Sequence, residues 1–457
     1  MEGGPPMSLN IVLLGIGQVG LHLAKVLSRE NHNIVAVDSS PAQCREAEEG
    51  LDVKVLQGQG SDHRVLEAAG IEQADMMIAA TGNDEQNVLA CSLAARYGVR
   101  QKIARIRNPA FFENPPRFTL ADWGVDLAIQ PEHETAKEIV LLVKRSAATD
   151  VLEFAGNRVQ LIGIRIDATC PLVHKSLEAV SREFPDKVFR VVAIHRGSET
   201  IIPGGNDIFQ NRDQLFVIAA AADIPGVIAL MGKSEEKLQQ IMILGGGRVG
   251  RATAGLLDAE KELAIKLIDS DADRTLALAD ELQRTLVIHG DGRDFNLLAT
   301  EGILETDALI SVTEDEETNI LTSLLAKHLG VTKTIALVNR REYLPLMAPI
   351  GVNAAVNTNL ITSNAILRLI RRGDVVSLAT LSGMDAQAVE YLAHGESRIT
   401  RKPLSKIDFP RGAILGAVTR GDEIIIPVGE TRIQAEDHVI VFSVPRALPE
   451  VDKLFAR

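Results

Sequence analysis

Two glycine-rich segments of this 457-residue chain have the spacing of a loop that binds phosphate. Gly15, Gly17 and Gly20 follow a short apolar run and lead into a helical pattern. In this context the first glycine permits a tight turn, the second lets the backbone approach a pyrophosphate, and the third lets the helix pack close to the strand. The amides and dipole of the helix then face the anion. The same pattern recurs from Gly245 onward.

Each glycine pattern is followed by an aspartate at the end of the next predicted strand. These residues are Asp38 and Asp269, and a carboxylate in this position can accept hydrogen bonds from ribose hydroxyls. Serine follows both, with no arginine alongside, which favours nucleotides with a free 2′-hydroxyl over NADP. NAD and adenine nucleotides are equally compatible with these residues. Two occurrences with strand, helix and acid make an ordinary tight turn the poorer explanation.

Polar pairs follow the apolar runs that predict the fourth strand of each copy. Thr81–Gly82 and Thr313–Glu314 should therefore lie at the carboxyl edge of a parallel sheet, where ligands of such sheets collect. The alternative interpretation is a serine/threonine-type turn that caps the following helix, and the two roles are compatible.

The basic residues of the two copies differ. Arg105 and Arg107 lie on the next strand of the first copy, where the second copy has Leu337 and Asn339, so the two sites are not chemically equal. Arg248 lies inside the second glycine loop. It either adds a cation near a phosphate or is a solvated surface charge.

Catalytic chemistry has little support in the residues. The ten histidines form no HExxH or i,i+4 pair, and His63 and His289, near the glycine loops, are not matched between copies. Neither a GxSxG elbow nor a Walker A lysine pattern is present. We therefore expect no catalytic residues and no metal site.

The glycine loops belong to a long internal repeat. IVLLGIGQVG from Ile11 recurs as IMILGGGRVG from Ile241, and AIHRGSETIIPGGNDIFQNRDQLFVI recurs late as AVTRGDEIIIPVGETRIQAEDHVIVF. In each copy, short apolar runs first alternate with helix-length segments, which predicts βαβ units, and short β-branched strands then follow. The fold class is α/β: two Rossmann-like parallel-sheet domains, each followed by a small α+β domain. The apolar runs of the first Rossmann-like domain are 11–14, 34–37, 76–79, 103–106 and 127–129.

Composition excludes several classes of protein. With 48 Lys and Arg against 61 Asp and Glu, the net charge of −13 disfavours nucleic-acid partners, including DNA for a redox-sensing transcription regulator. No uninterrupted apolar stretch of about 18 residues predicts a membrane span. The three cysteines form no CxxC pair, which fits a reducing cytoplasm.

Several segments together resemble the TrkA family, the cytoplasmic nucleotide-binding subunits of bacterial and archaeal Trk potassium uptake systems. They include GIGQVG, QGQGSDHRVLEAAG, ADMMIAATGNDEQN, GGGRVG, HGDGRD and AHGESRI, and the resemblance covers essentially the whole chain. It implies alternating N- and C-type domains of the regulator of potassium conductance (RCK). Their expected ranges are 7–131 (N), 148–232 (C), 238–357 (N) and 372–457 (C).

The resemblance implies a regulator rather than an enzyme. Such a protein binds NAD(H), ATP or ADP and forms a homo-oligomeric, tetrameric ring. The ring lies on the cytoplasmic face of the cell membrane, as a peripheral protein, and gates potassium flux through a membrane-spanning subunit of the TrkH or TrkG type. The competing interpretation is an NAD-dependent oxidoreductase with duplicated Rossmann domains.

The resemblance and the motifs together assign two nucleotide sites. The first comprises Gly15, Ile16, Gly17, Gln18, Val19, Gly20, Asp38, Thr81, Gly82 and Arg105. The second comprises Gly245, Gly246, Gly247, Arg248, Val249, Gly250, Asp269, Thr313 and Glu314.

Overall fold

The computed structural model describes residues 8–29, 32–112, 119–185, 188–197, 199–370, 375–380, 384 and 386–456. The domain limits expected at 7, 372 and 457 lie outside these residues. Among the described residues, no helix is long and apolar enough to cross a membrane.

The first Rossmann domain is a parallel sheet of strand order β3-β2-β1-β4-β5-β6, which is the order of a dinucleotide-binding fold. Its central strands are buried on both faces, because helices cover both sides of a parallel sheet. The elements are β1 (Asn10–Leu14), α1 (Gln18–Arg29), β2 (Asn33–Asp38), α2 (Pro41–Gly50), β3 (Lys54–Gln57), α3 (His63–Ala68), β4 (Met76–Ala79), α4 (Asp84–Arg96), β5 (Gln101–Arg105) and β6 (Leu127–Ile129).

The first C-terminal module follows a connecting helix and contains an antiparallel sheet of order β10-β9-β11-β8-β7. The elements are α5 (Pro131–Lys144), β7 (Asp150–Phe154), β8 (Val159–Arg165), α6 (Leu177–Glu183), β9 (Phe189–Arg196), β10 (Glu199–Ile201), β11 (Gln214–Ala220) and α7 (Ile224–Leu230).

The second Rossmann domain repeats the parallel arrangement, in the order β14-β13-β12-β15-β16-β17. Its elements are β12 (Gln240–Leu244), α8 (Arg248–Asp258), β13 (Ala264–Asp269), α9 (Ala272–Glu281), β14 (Leu286–His289), α10 (Phe295–Thr300), β15 (Ala308–Ser311), α11 (Glu316–His328), β16 (Lys333–Leu337), α12 (Leu344–Ile350) and β17 (Ala354–Val356).

The second C-terminal module repeats the antiparallel order as β18-β19-β22-β20-β21. It follows the connecting helix α13 (Thr358–Ile370) and comprises β18 (Val375–Thr380), β19 (Gln387–Leu392), β20 (Ala413–Arg420), β21 (Glu423–Ile425), β22 (His438–Ser443) and α14 (Leu448–Phe455). The predicted fold class is therefore confirmed.

The connecting helices are exchanged between the copies. α13 follows the second Rossmann domain in the chain but forms a compact unit with the first, where it packs against α1. Gln101 of β5 donates from Nε2 to the carbonyl of Leu369, 3.1 Å away. In the other unit, Lys144 of α5 pairs with Glu260 of the second Rossmann domain at 2.8 Å. Each Rossmann domain is thus covered by the helix that follows its counterpart.

The two C-terminal modules share one apolar core. Phe216 and Ile218 of β11 lie in the same buried cluster as Ile440 and Phe442 of β22. Between the modules, the half-buried side chain of Arg190 donates from Nη1 to the carbonyl of Leu415 at 3.3 Å. Burying these sheet faces against each other gives both small modules a core that neither would have alone.

Candidate functional site

The first glycine loop has a conformation that requires two of its glycines. Gly15 has a φ of +91°, and its amide donates to the carbonyl of Val37 at 2.8 Å. A Cβ on Gly15 would lie 2.8 Å from the amide nitrogen of Thr81, and a Cβ on Gly20 would lie 1.8 Å from the Gly15 carbonyl oxygen. A Cβ on Gly17 would meet nothing within 4 Å, because this residue faces open space. The turn and the close packing predicted from the spacing are therefore present.

Asp38 is tied to the glycine loop by its carboxylate. Oδ2 accepts from the amide of Ile16 at 2.6 Å, and Oδ1 accepts from the amide of Ser40 at 2.8 Å. The acid thus sets the position of the loop, and it also lies in the wall of the adjacent cavity.

A buried asparagine fixes the threonine at the end of β4. The side chain of Asn87 accepts from Thr81 Oγ1 at 2.6 Å and donates to the carbonyl of Arg105 at 2.8 Å. Asn319 repeats these contacts with Thr313 Oγ1 at 2.7 Å and with the carbonyl of the next strand at 3.0 Å. The asparagines were not among the expected site residues, although their equivalent positions in the repeat were a usable signal.

The threonines also form the turn that was the alternative interpretation. The amide of Asn83 donates to Thr81 Oγ1 at 3.2 Å, and the side chain of Asn83 caps α4. Thr81 therefore makes a turn and faces the cavity at the same time.

The first cavity, of about 520 Å³, lies at the carboxyl edge of the first sheet. This volume lies in the range of small-molecule sites. Ile16 and Gly20 shape the loop from outside the lining, whereas Gln43 and Asn359 line it without having been predicted. Arg107, which the sequence marked as a basic residue of this copy but which was not assigned to the site, also lines it. The expected residues that line it are Gly15, Gly17, Gln18, Val19, Asp38, Thr81, Gly82 and Arg105.

The two arginines of the first cavity make its wall basic. Arg105 is buried at the end of β5. The backbone amide of Arg107 donates to Asp84 Oδ2 at 2.9 Å, and its Nε lies 3.7 Å from Glu132 Oε1. Two guanidinium groups beside a loop of backbone amides form a setting for a phosphorylated ligand.

The second glycine loop repeats the backbone geometry. Gly245 has a φ of +100°, and a Cβ on Gly250 would lie 1.8 Å from the Gly245 carbonyl oxygen. Gly246 packs beside Leu278, and its amide donates to Asp269 Oδ2 at 2.5 Å. The backbone part of the two sites is therefore nearly the same.

The second cavity, of about 400 Å³, has a different lining. Gly246, Arg248, Val249 and Gly250 lie outside it, and Arg248 is exposed at the start of α8. The expected residues that line it are Gly245, Gly247, Asp269, Thr313 and Glu314. Side chains that were not expected also line it, and they include Asp271, Arg274, Asp291, Arg293 and Asp315.

Arg274 corrects the interpretation that no arginine accompanies the second acid. Its Nη1 lies 3.0 Å from Asp269 Oδ2 and 3.3 Å from Oδ1. No arginine directly follows Asp269 in the sequence. Arg274 lies five residues further on, and the first turn of α9 places its side chain beside Asp269. The equivalent residue after Asp38 is Gln43.

The structure brings no metal-binding cluster together among the residues that it describes. His63 is largely exposed, and His289 Nε2 lies 3.2 Å from the carbonyl of Ser270. Neither histidine lines the two cavities described above.

Two parallel sheets with glycine loops, each followed by an antiparallel module, define a duplicated Rossmann protein. The TrkA-N domain model matches residues 11–131 and 241–358, and the TrkA-C domain model matches 161–232 and 389–456. The chain belongs to the TrkA family. The four expected domain ranges stay predictions, since each matched range differs from the expected one at one limit or both.

Relatives match along nearly the full length. A Trk system potassium uptake protein TrkA from Halomonas elongata is 35% identical over 452 residues, which are 98% of each chain. A TrkA homolog 2 from Methanosarcina mazei is 36% identical over 98% of this chain and all of its own.

Solved structures share the fold. The GsuK RCK domain has a TM-score of 0.58 at 20% identity and covers 99% of this chain and 96% of its own. The GsuK channel bound to NAD has a TM-score of 0.59 at 20% identity and covers 99% of this chain and 80% of its own. The small antiparallel modules are therefore of the RCK type, as the resemblance implied.

Proposed function

We propose that this chain is the nucleotide-sensing regulatory subunit of a Trk-type potassium transporter. It binds NAD(H), ATP or ADP in the first glycine-loop cavity and a nucleotide in the second, and it has no catalytic activity of its own. Full-length relatives are named Trk system potassium uptake proteins. The choice of ligands has further support, since a channel of the same fold is described as bound to NAD and also as bound to ADP.

The observation that carries the proposal is the position of Asn359. This residue lies in the first turn of α13 and lines the first cavity, although α13 follows directly on the second Rossmann domain in the chain. A nucleotide beside Asp38 therefore contacts the helix that leads out of the other copy. Such a ligand binds more tightly to the conformation in which it contacts both copies better. Only a difference in affinity between two conformations lets a ligand shift the equilibrium between them.

The proposed regulator acts through other chains. Copies of it form a tetrameric ring at the cytoplasmic face of the cell membrane, where they contact a membrane-spanning subunit of the TrkH or TrkG type. Nucleotides that select different conformations of the ring then raise or lower potassium flux.

Calorimetric titration tests the ligand and the site together. NADH, NAD, ATP and ADP are titrated into the wild type, Asp38→Ala and Asp269→Ala. Asp38→Ala removes a charged acceptor of two hydrogen bonds. It should therefore weaken nucleotide binding at the first site by at least about tenfold. Because Asp38 also holds the loop, thermal melting of each variant serves as the folding control.

Flux measurements test the regulatory role. The chain is reconstituted with its membrane subunit in vesicles, and potassium flux is recorded with each nucleotide and with none. We expect flux to depend on which nucleotide is present, and to lose that dependence in Asp38→Ala. Identical flux under all conditions would exclude the proposal, and a change in nicotinamide absorbance with a small-molecule substrate would favour an oxidoreductase.

A further inference from the structure

The two aspartates differ in how much of their hydrogen-bonding capacity is used. An ionised carboxylate offers roughly four acceptor positions. In the described part of the chain, Asp38 uses one on each oxygen, for the amides of Ile16 and Ser40. About two positions therefore remain, one on each oxygen, which matches the two hydroxyls of a ribose diol.

Asp269 has no such remainder. Its Oδ2 accepts from the amide of Gly246 at 2.5 Å and from Arg274 Nη1 at 3.0 Å. Its Oδ1 accepts from the amide of Asp271 at 2.8 Å and from the same Nη1 at 3.3 Å. All roughly four positions are used, so a free diol finds no acceptor on this side chain.

Arg274 still has donors for a ligand. Both of its hydrogen bonds to Asp269 come from Nη1, and its Nη2 makes a looser ion pair with Asp271 at 3.4 Å. A guanidinium carries five N–H groups and binds phosphate in a bidentate manner. The side chain is 40% exposed and lines the cavity. An arginine beside this acid is also the general means by which Rossmann sites accept a 2′-phosphate.

The arginines lie on different walls of the two cavities. The first cavity has Arg105 and Arg107 on the side of β5, where the second copy has Leu337 and Asn339. The second cavity has Arg274 and Arg293 on the side of Asp269 and the loop after β14. Arginine side chains therefore lie beside the ribose in the second site, where Arg274 pairs with Asp269 and Asp271 and Arg293 pairs with Asp291, and away from the ribose in the first.

We infer that Arg274 makes the two sites select different riboses: the first takes a free 2′,3′-diol, and the second takes a ribose that carries a 2′-phosphate. The inference rests on the proposed function in that both cavities hold a nucleotide. Carboxylates outnumber arginines in the second lining, so its absolute affinity for anions should be the lower of the two. The ratio of two ligands that differ only in the phosphate is therefore the informative quantity.

NADH and NADPH are such a pair, and the two copies supply matched variants. Arg274→Gln gives the second site the residue of the first, and Gln43→Arg does the reverse. Binding of both ligands is measured by calorimetry in the full chain. The same measurement is repeated in an Asp38→Ala background, in which the second site keeps its aspartate and the first does not. We expect Arg274→Gln to lower the preference for NADPH at the second site by about ten- to a hundredfold. Gln43→Arg should weaken NADH at the first site by a similar factor.

The possible failures are distinguishable. If neither ligand binds the wild type at any site, the proposed function fails. If NADH binds but NADPH never occupies the second site, or if the ratio there is the same with and without Arg274, the inference is wrong while the proposed function stands. Gln43→Arg keeps the test decisive even if the Asp38→Ala background does not fold.

Discussion

The two Rossmann domains of this chain agree in their backbone and differ in their cavities. Gly15 and Gly245 share the left-handed turn, and Asn87 and Asn319 make the same bonds to the neighbouring threonine and strand. Apart from Asp38 and Asp269, the charged side chains of the walls do not correspond: Arg105 is replaced by leucine, and Gln43 by arginine. Contacts that fix the loop have been kept in both copies, whereas groups that would meet a ligand have changed.

The C-terminal modules contrast with this, because a charged pair is kept in both. Arg196 and Asp213 lie 2.8 Å apart, as do Arg420 and Asp437, and each aspartate is 1% exposed. These pairs lie at equivalent positions and close the same turn before β11 and β22. Charges that serve the fold are therefore constant between copies, whereas most other charges in the cavities vary.

The largest expected effect comes from breaking the constant pairs. Arg196→Met leaves the buried carboxylate of Asp213 without its cation and should lower the free energy of unfolding by about 3–5 kcal/mol. Arg420→Met should lower the free energy of unfolding by the same amount. Hydrogen exchange of the amides of β11 and β22 measures the two losses. Arg182→Met is the control, because its pair with Glu178 is exposed and should contribute less than about 1 kcal/mol. Unequal losses would show that the modules are not equivalent.

The next effect concerns the glycines that both loops share. Gly20→Ala and Gly250→Ala each place a Cβ against a carbonyl oxygen, so the helix must shift away from the strand. We expect a loss of about 1–3 kcal/mol in each domain, measured by chemical denaturation. Gly17→Ala and Gly247→Ala are the controls, since a Cβ there meets nothing within 4 Å. Losses from the controls as large as those from Gly20 and Gly250 would contradict the steric explanation.

A smaller effect tests the side chains that differ. Arg105→Leu gives the first site the residue of the second and should weaken ADP there by about tenfold, because a cation beside the phosphates is removed. Isothermal titration measures this change. Arg100→Leu, an exposed position outside the cavity lining, should leave the affinity unchanged. If both variants bind equally well, the arginine on β5 has no part in ligand binding.

The last expected effect, which is small for each pH unit, is a dependence of stability on pH that only one copy should have. Lys333 is buried where the first copy has Gln101, and its Nζ donates to the carbonyls of Ser146 and Ala148. Burial lowers the pKa of Lys333 from 10.5 to about 7, and burial raises the pKa of Asp150 from 3.8 to about 6.

The sign follows from proton binding. Between pH 7 and 10.5 the unfolded chain binds more protons at Lys333, so stability should rise with pH, by at most about 1.4 kcal/mol per pH unit. Between pH 4 and 6 the folded chain binds more at Asp150, so stability should fall as pH rises. Lys333→Gln should abolish the rise in the free energy of unfolding between pH 8 and 10, as measured by urea denaturation. An unchanged slope in this variant would assign the pH dependence to other groups.

Much of this organisation could be predicted from the repeat. Gly15, Gly20 and Asp38 have local roles that follow from their spacing, and the central strands are apolar runs. β3 is not among those runs, because it is an edge strand whose four residues are exposed or only half-buried. Arg274 could not be assigned to Asp269 without knowing that α9 begins at Ala272 and turns the side chain back. Helical periodicity likewise predicts α13 but carries no information about which domain it covers.

The exchanged helices also bear on how such a chain could be divided. Cutting between the copies near residue 235 would leave each half with its own glycine loop but without the helix that covers its Rossmann domain. Two such halves could recover their covering only from each other, as a pair of molecules. Fusion in one chain replaces that encounter with an effective concentration of about millimolar, set by the connection itself. The duplication is therefore, in effect, a dimer whose association no longer depends on how much protein the cell makes.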